Sequence, residues 1–237
     1  MEETLWNGIR MLQPDSGFRL GTDSVLLSQF LTLPKQARIA DLGSGCGTLG
    51  LLLCARDNAC SVTGIELEEQ AHRLAQENIA RNSLHDRLFS ILGDVRAIRT
   101  LLPAGSFSCV ISNPPYFSVG SGKVSSGNAA ARSEETLSLR ELCAAAAYLL
   151  PSGGRFALVH RPERLCDLIC TMRENGIEPK RIRFVRHSAN SPVCMVLLEG
   201  RRGGRPGLEY LPDFLEFTPD GAETEDYRAA YHRGEQP

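Results

Sequence analysis

"IADLGSGCGTLG", residues 39 to 50, is the stretch on which the fold turns. An apolar run, Ala37 to Leu42, stops at three alternating glycines, Gly43, Gly45 and Gly47, and Leu49 to Ala55 then continues as a helix. Glycine at such spacing permits a tight turn and lets the backbone approach a ligand closely. The helix that follows offers free N–H groups and the positive end of its dipole. The unit therefore predicts a strand, a ligand-binding turn and a helix, and the chain beyond it repeats the alternation.

Cys60 to Glu66 alternates as a second strand, and Glu68 to Asn82 carries Ala71, Leu74, Ala75, Asn78 and Ile79 on one helical face. Arg87 to Leu92 and Phe107 to Ser112 read as further strands. Leu137 to Leu150 reads as a helix stopped by Pro151 and the Gly153-Gly154 turn. Arg155 to His160 is a strand, Pro162 to Asn175 a helix, and Arg181 to Arg186 with Val193 to Glu199 a hairpin. This order predicts an α/β, Rossmann-like domain: seven strands, mostly parallel, with helices on both faces and an antiparallel edge hairpin. Residues 37–237 form that domain, and 1–36 are expected to cap its ligand. Ser118 to Ser133, rich in Gly, Ser and Ala, reads as a mobile loop.

Composition narrows the function classes. The 237 residues fit one domain, and 42% hydrophobic content can build its core. No apolar run reaches 18 residues, so no membrane span is expected, and the acidic start Met1-Glu2-Glu3-Thr4 does not read as a signal peptide. A cytoplasmic protein is expected, with no obligate protein partner, as a monomer or weak dimer. The eight cysteines form no Cys-x-x-Cys pair and no zinc pattern, so no metal is expected and reduced, packed thiols are. Net charge is −2, but it is unevenly placed. Lys180 to Arg205 holds seven basic residues and one acid, and Pro206 to the end holds eight acids and two arginines. A basic face can hide in such a total.

The turn supports two ligand readings. Gly45-x-Gly47-x-x-Gly50 matches a dinucleotide fingerprint, which leaves a nicotinamide-dependent oxidoreductase open. Asp41-x-Gly43-x-Gly45-x-Gly47 resembles the S-adenosylmethionine turn of class I methyltransferases. Asp41 favours the second, because a carboxylate there repels pyrophosphate but suits the positively charged methionine end of S-adenosylmethionine, directly or through water. Glu66, 19 residues beyond Gly47, can accept from both ribose hydroxyls. Asp94, after the third strand, is placed to accept from an adenine amine.

Asn113-Pro114-Pro115-Tyr116 ends the fourth strand. In an open α/β sheet ligands bind beyond the carboxyl ends of the strands, so this stretch emerges beside the turn if its strand neighbours the first. Proline fixes its own φ and extends the residue before it. The Asn113 oxygen and the Pro114 carbonyl can then stand side by side as acceptors for the two N–H groups of a planar exocyclic amine. Pro115 turns no N–H inward, and Tyr116 offers a ring on which a base can stack. No strong base is required, since the nitrogen loses its proton after gaining the methyl.

The four residues resemble the [D/N/S]-P-P-[Y/F] motif of class I amino-methyltransferases, which act on adenine, cytosine or guanine amines or on a glutamine amide. Over nearly the whole chain the sequence is similar to bacterial tRNA (adenine-N6) methyltransferases that modify the adenine next to the anticodon of a valine tRNA. Phe18 to Leu27 matches their F-x-x-G-T-D-[AS]-x-L-L, and Ala131-Arg132-Ser133-Glu134 their A-R-x-E. Glu178 to Arg183 and Gly203-Gly204 follow their later pattern. The resemblance implies that Gly21, Thr22 and Asp23 fold over the cofactor, with Thr22 or Asp23 capping a short helix. It implies a flipped-out adenine behind Tyr116, S-adenosyl-L-methionine as methyl donor and S-adenosyl-L-homocysteine as product. It also implies RNA contacts from Lys123, Arg132, Lys180, Arg181, Arg183 and Arg186. A guanine amine of ribosomal RNA, a glutamine amide, and an RNA-binding factor without turnover remain as alternatives.

Overall fold

The computed structural model describes residues 2–5, 8–14, 20–114 and 137–232. Pro115, Tyr116, Lys123, Arg132 and the loop expected at Ser118 to Ser133 lie outside them.

A short hairpin, β1 (Glu2–Thr4) and β2 (Arg10–Leu12), and α1 (Thr22–Phe30) precede the main sheet. Then follow β3 (Arg38–Leu42), α2 (Thr48–Arg56), β4 (Ser61–Glu66), α3 (Glu69–Arg81), β5 (Leu88–Leu92), α4 (Ile98–Leu101) and β6 (Cys109–Ser112). After the undescribed segment come α5 (Leu139–Leu149), β7 (Arg155–His160), α6 (Leu165–Glu174), β8 (Ile177–Arg186) and β9 (Val193–Arg202). The tail adds β10 (Glu209–Tyr210), β11 (Phe214–Leu215) and α7 (Glu225–Ala230).

The sheet runs β10-β8-β9-β7-β6-β3-β4-β5, and β11 also pairs with β8. The chain moves outward from β3 through β4 to β5, then returns to lay β6 on the other side of β3. The crevice between β3 and β6 is therefore the switch point. Asp41 pairs in register with Ile111, which brings the turn at Gly43 and the side chain of Asn113 to the same level. β9 runs antiparallel to both β7 and β8, and β6, β7, β3, β4 and β5 are mutually parallel.

Alternation along β3 sends Ile39 to one face and Ala40 and Leu42 to the other. On the first face Ile39, Ile111 and Val159 pack with Leu51, Leu52 and Leu27 from α2 and α1. On the second, Leu42, Val110, Phe156 and Leu158 pack with Leu142, Ala146, Leu168 and Met172 from α5 and α6. Burial on both faces explains why these strands read as near-continuous apolar runs.

Three expectations need correction. The sheet has nine strands rather than seven, because the tail supplies β10 and β11, each too short to show a period. The hairpin's outer strand is consequently not the bare edge. β8 also starts four residues before Arg181, since Pro179 sits at a bulge opposite β9, where a missing N–H is tolerated. Finally, neither Thr22 nor Asp23 caps α1. Gly21 is the N-cap, with extended backbone and no side-chain cap bond, and Thr22 is already inside the helix. The Asp23 carboxylate instead accepts from Ser24 N–H at 2.7 Å.

The N-terminal hairpin hangs on α3 through polar ties. Buried Asn78 accepts from Leu12 N–H and donates to the carbonyls of Leu12 and Cys46, while Asn82 bonds both backbone groups of Arg10. Asn78 thus sits on the buried face of α3 as a connector, joining the hairpin to the glycine turn.

Candidate active site

The turn takes the conformation its glycines allow. Gly43, Gly45 and Gly47 have φ of 77°, 56° and 85°, a region that side chains with a Cβ rarely adopt. A Cβ built on Gly43 or Gly45 would meet nothing within 4 Å, so the backbone conformation, not crowding, requires glycine, and the space beside the turn is open. Ile65 O accepts from both Gly43 N–H and Ser44 N–H, which pins the turn to β4. Glu66 completes the stitch: Oε2 accepts from Gly45 N–H at 2.7 Å and Oε1 from Glu68 N–H at 2.8 Å. Each oxygen keeps a second lone pair for a ligand hydroxyl.

Asp41 lies under this turn. It is 1% exposed, and among the described residues neither carboxylate oxygen has a hydrogen-bond partner; Ser44 Oγ also lacks one. Burial, followed by the nearby negative charge of Glu66, pushes the Asp41 carboxyl up to about 8. A buried acid left this way requires a cation, a donor or a proton. A cavity of about 10 Å³ lined by Asp41, Ser44, Gly47 and Gly64 is near the size of one water. The residues present therefore fit a positively charged ligand at the turn, reached directly or through a water of that size.

Asp94 stands at the end of β5 and caps the short turn Val95–Ala97 through Arg96 N–H. Its carboxylate also receives the Arg96 guanidinium, with Nε to Oδ2 at 2.9 Å, and those hydrogen bonds hold it below the usual carboxylate range. An adenine amine would share Asp94 with Arg96.

β6 delivers Asn113 to the crevice. Ser112 Oγ donates to Leu42 O at 2.7 Å, which locks the end of β6 to the end of β3 just before the turn. Asn113 Nδ2 donates to Ser24 Oγ of α1 at 3.0 Å. His160 closes β7 at the same sheet edge. Burial and then Arg164 push its imidazole down to about 4, and Nδ1 accepts from Arg161 N–H, so it is neutral near pH 7. Neither Ser24 nor His160 stood out in the sequence. Ser24 lay inside the Gly-Thr-Asp-Ser stretch, while nothing local marked His160.

The basic stretch beyond Pro179 is engaged within the chain. Arg181 donates to Phe30 O and Thr32 Oγ1, lies over the Phe30 ring and pairs with Glu199. Arg183 pairs with Asp226 at 2.9 Å, and Arg186 with Asp213 at 2.7 Å. Lys180 Nζ donates to Arg205 O. These residues sit on β8, three strands from β6, roughly 14 Å away at ordinary strand spacing. Two of the tail's acids thus pair with two of the seven basic residues of the stretch they follow. Gly21 and Thr22 stand at the start of α1, where Thr22 Oγ1 is 3.0 Å from Tyr231 OH of the tail.

A reversed strand set between parallel neighbours, with the glycine turn at the switch point, makes this a Rossmann-like methyltransferase fold. A solved predicted O-methyltransferase of Agrobacterium tumefaciens shares that fold at a TM-score of 0.74 and 22% identity, covering 91% of this chain and 98% of that one. The chain belongs to the methyltransferase small-domain family, whose pattern matches residues 16–167. Among its curated relatives are the tRNA1(Val) (adenine(37)-N6)-methyltransferases of Photobacterium profundum, 30% identical over 77% of each chain, and of Dickeya chrysanthemi. The latter is 34% identical over 78% of this chain and 74% of the relative.

Proposed function

We propose that the protein transfers a methyl group from S-adenosyl-L-methionine to the exocyclic N6 of an adenine in tRNA, adenine 37 of valine tRNA. The observation that carries this reading is the register that sets Asn113 level with the glycine turn at the β3–β6 crevice, beside an Asp41 carboxylate that has no partner among the described residues. The relatives named for that reaction support the choice of amine.

The chain's residues divide the work. The turn Gly43–Gly47 and the first turn of α2 hold the cofactor, Glu66 its ribose hydroxyls, and Asp94 its adenine amine. Asp41 supplies negative charge to its methionine end. Gly21, Thr22 and Asp23, within the cap 1–36, cover that end. When bound, the cofactor supplies an electrophilic methyl on a positively charged sulfur and leaves as S-adenosyl-L-homocysteine. Asn113 Oδ1 and Pro114 O accept the two N–H bonds of the target amine and turn its lone pair toward the methyl. Tyr116 stacks on the base, and the nitrogen releases one proton once it carries the methyl. Catalysis is then mainly positioning, a contribution that can reach several kcal/mol. Lys123 and Arg132, close in sequence to Tyr116, are the candidates for RNA phosphate. Arg181, Arg183 and Arg186 serve the fold first.

A labelled-methyl assay against total tRNA, ribosomal RNA, DNA and a release factor in parallel, with nucleoside analysis, tests the reading. The expected product is N6-methyladenosine in tRNA. Label in guanosine or in protein would replace it with one of the other planar amines. Asn113→Ala should abolish transfer while leaving cofactor affinity nearly unchanged; a loss of cofactor affinity instead would remove Asn113 from its catalytic role.

A further inference from the structure

Asn113 enters the site from β6, and a group that holds its side chain comes from α1, 89 residues away in sequence. A primary amide has a donor end and an acceptor end in one plane, and only the acceptor end serves a target amine. Asn113 Nδ2 donates to Ser24 Oγ, which engages one N–H of the donor end and leaves Oδ1 on the other branch of the amide. The opposite flip would place an NH2 group where the reaction requires an oxygen. Ser24 is fully buried and Asn113 is 9% exposed, so water does not compete freely for this bond.

The serine is itself held in place. Its N–H is accepted by Asp23 Oδ1 at 2.7 Å, and Val25 N–H bonds back to Gly21 O. The neighbouring Thr22 hydroxyl meets Tyr231 OH. α1 lies against α2 and β7, whose ends border the crevice. The first turn of α1 is thus a fixed platform and not a loose flap.

We infer that Ser24 is a positioning residue for methyl transfer, holding the Asn113 amide in the flip that presents Oδ1 to the target amine. The inference rests on the reading of Asn113 given above. It assigns the N-terminal segment a part in the chemistry beside covering the cofactor. A misplaced reacting geometry of about 1 Å can cost on the order of a hundredfold in rate, and loss of one orienting bond sits at or below that.

The test uses the full chain, wild type and four variants: Ser24→Ala, Ser24→Cys, Asn113→Ala and the Ser24→Ala/Asn113→Ala double. Single-turnover methylation of a valine tRNA transcript is measured at saturating labelled S-adenosylmethionine, together with cofactor affinity, RNA affinity and melting temperature. Ser24→Ala should slow the single-turnover rate roughly ten- to hundredfold while both affinities stay within about twofold. Ser24→Cys, whose sulfur is a weaker acceptor, should fall between it and wild type. The double variant should be no slower than Asn113→Ala, because Ser24 acts through Asn113. A wild-type rate in Ser24→Ala, a rate loss that follows cofactor affinity or melting temperature, or additive losses in the double variant would each overturn the inference while leaving Asn113 its role. A wild-type rate in Asn113→Ala would instead remove the catalytic reading on which the inference stands.

Discussion

Cofactor binding should release a proton from Asp41. Without ligand its carboxyl is pushed up to about 8, first by burial and then by Glu66, so at pH 7 roughly nine-tenths of the molecules hold it neutral. A cationic cofactor end favours the ionised form, and the proton leaves. If the complex keeps Asp41 ionised throughout, affinity should rise nearly tenfold per pH unit below 8 and level off above it. Between pH 6 and pH 8 the gain is about fiftyfold. Calorimetric titration in buffers of different ionisation enthalpy should count roughly 0.9 proton released at pH 7 and about 0.1 at pH 9. The cofactor's own α-amino group titrates near pH 8, so Asp41→Asn is the necessary control. The difference in slope between wild type and Asn variant belongs to Asp41. The free protein gives a second readout. Its folded pKa lies above the ordinary carboxyl value of 3.8, so the native state binds the proton more tightly than the unfolded chain. Stability from this group is complete below about pH 4 and is lost as pH rises to about 8, by up to a few kcal/mol. Asp41→Asn should flatten that decline. Identical proton counts and identical stability curves for wild type and variant would refute the assignment of a neutral, ligand-seeking acid under the turn.

Glu199, 1% exposed, accepts from Thr32 N–H and faces Arg155 and Arg181, so Glu199→Ala should cost about 3 kcal/mol in urea denaturation by stranding those donors. A loss below about 1 kcal/mol would show that water already satisfies them. Gly64 stands opposite Asp41 in β4, and a Cβ there would fall 2.5 Å from Ser44 Oγ and 2.7 Å from Ser44 Cβ. Gly64→Ala should push the turn out of place, costing about 1–3 kcal/mol and weakening cofactor binding; wild-type affinity would mean that the turn relaxes without effect. A Cβ on Gly50 would fall 2.5 Å from Leu88 Cδ1, the far end of a side chain and not backbone.

Much of the domain was legible because its signals are local. Ile39-Ala40, Leu42 and Val110-Ile111 are buried, and their apolar runs announce strands without any partner being known, while Cys60 to Glu66 announces one by alternation. Gly43, Gly45 and Gly47 announce the turn because positive φ leaves few alternatives. Asn113 was singled out from its place at the end of a strand, and β6 does end just before it. What escaped depended on contacts distant in sequence. β10 and β11 exist only because β8 offers an edge, and two residues carry no period. The strand read from Arg181 begins at Ile177, and a bulge in its pairing accommodates Pro179. Thr22 looked like a helix cap, but its hydroxyl meets Tyr231, 209 residues away. Ser24 carries no mark of its bond to Asn113.

The charge asymmetry shows most plainly how composition and contact differ. Seven basic residues followed by an acidic tail read as an RNA face beside a surface that repels RNA. In the fold two of the seven basic residues meet acids of the tail. Asp213 meets Arg186 and Asp226 meets Arg183, while Phe214, Phe217, Tyr227 and Tyr231 form an aromatic cluster that carries α7 onto α1. Partly exposed pairs such as these contribute at most about 1 kcal/mol each, so they do little for stability. Their larger effect is on potential, since each pair lowers the positive charge that β8 offers to phosphate. Under the proposed function the candidates for RNA phosphate are then Lys123 and Arg132, which follow Tyr116 in sequence, more than Arg183 and Arg186, whose charge is already paired.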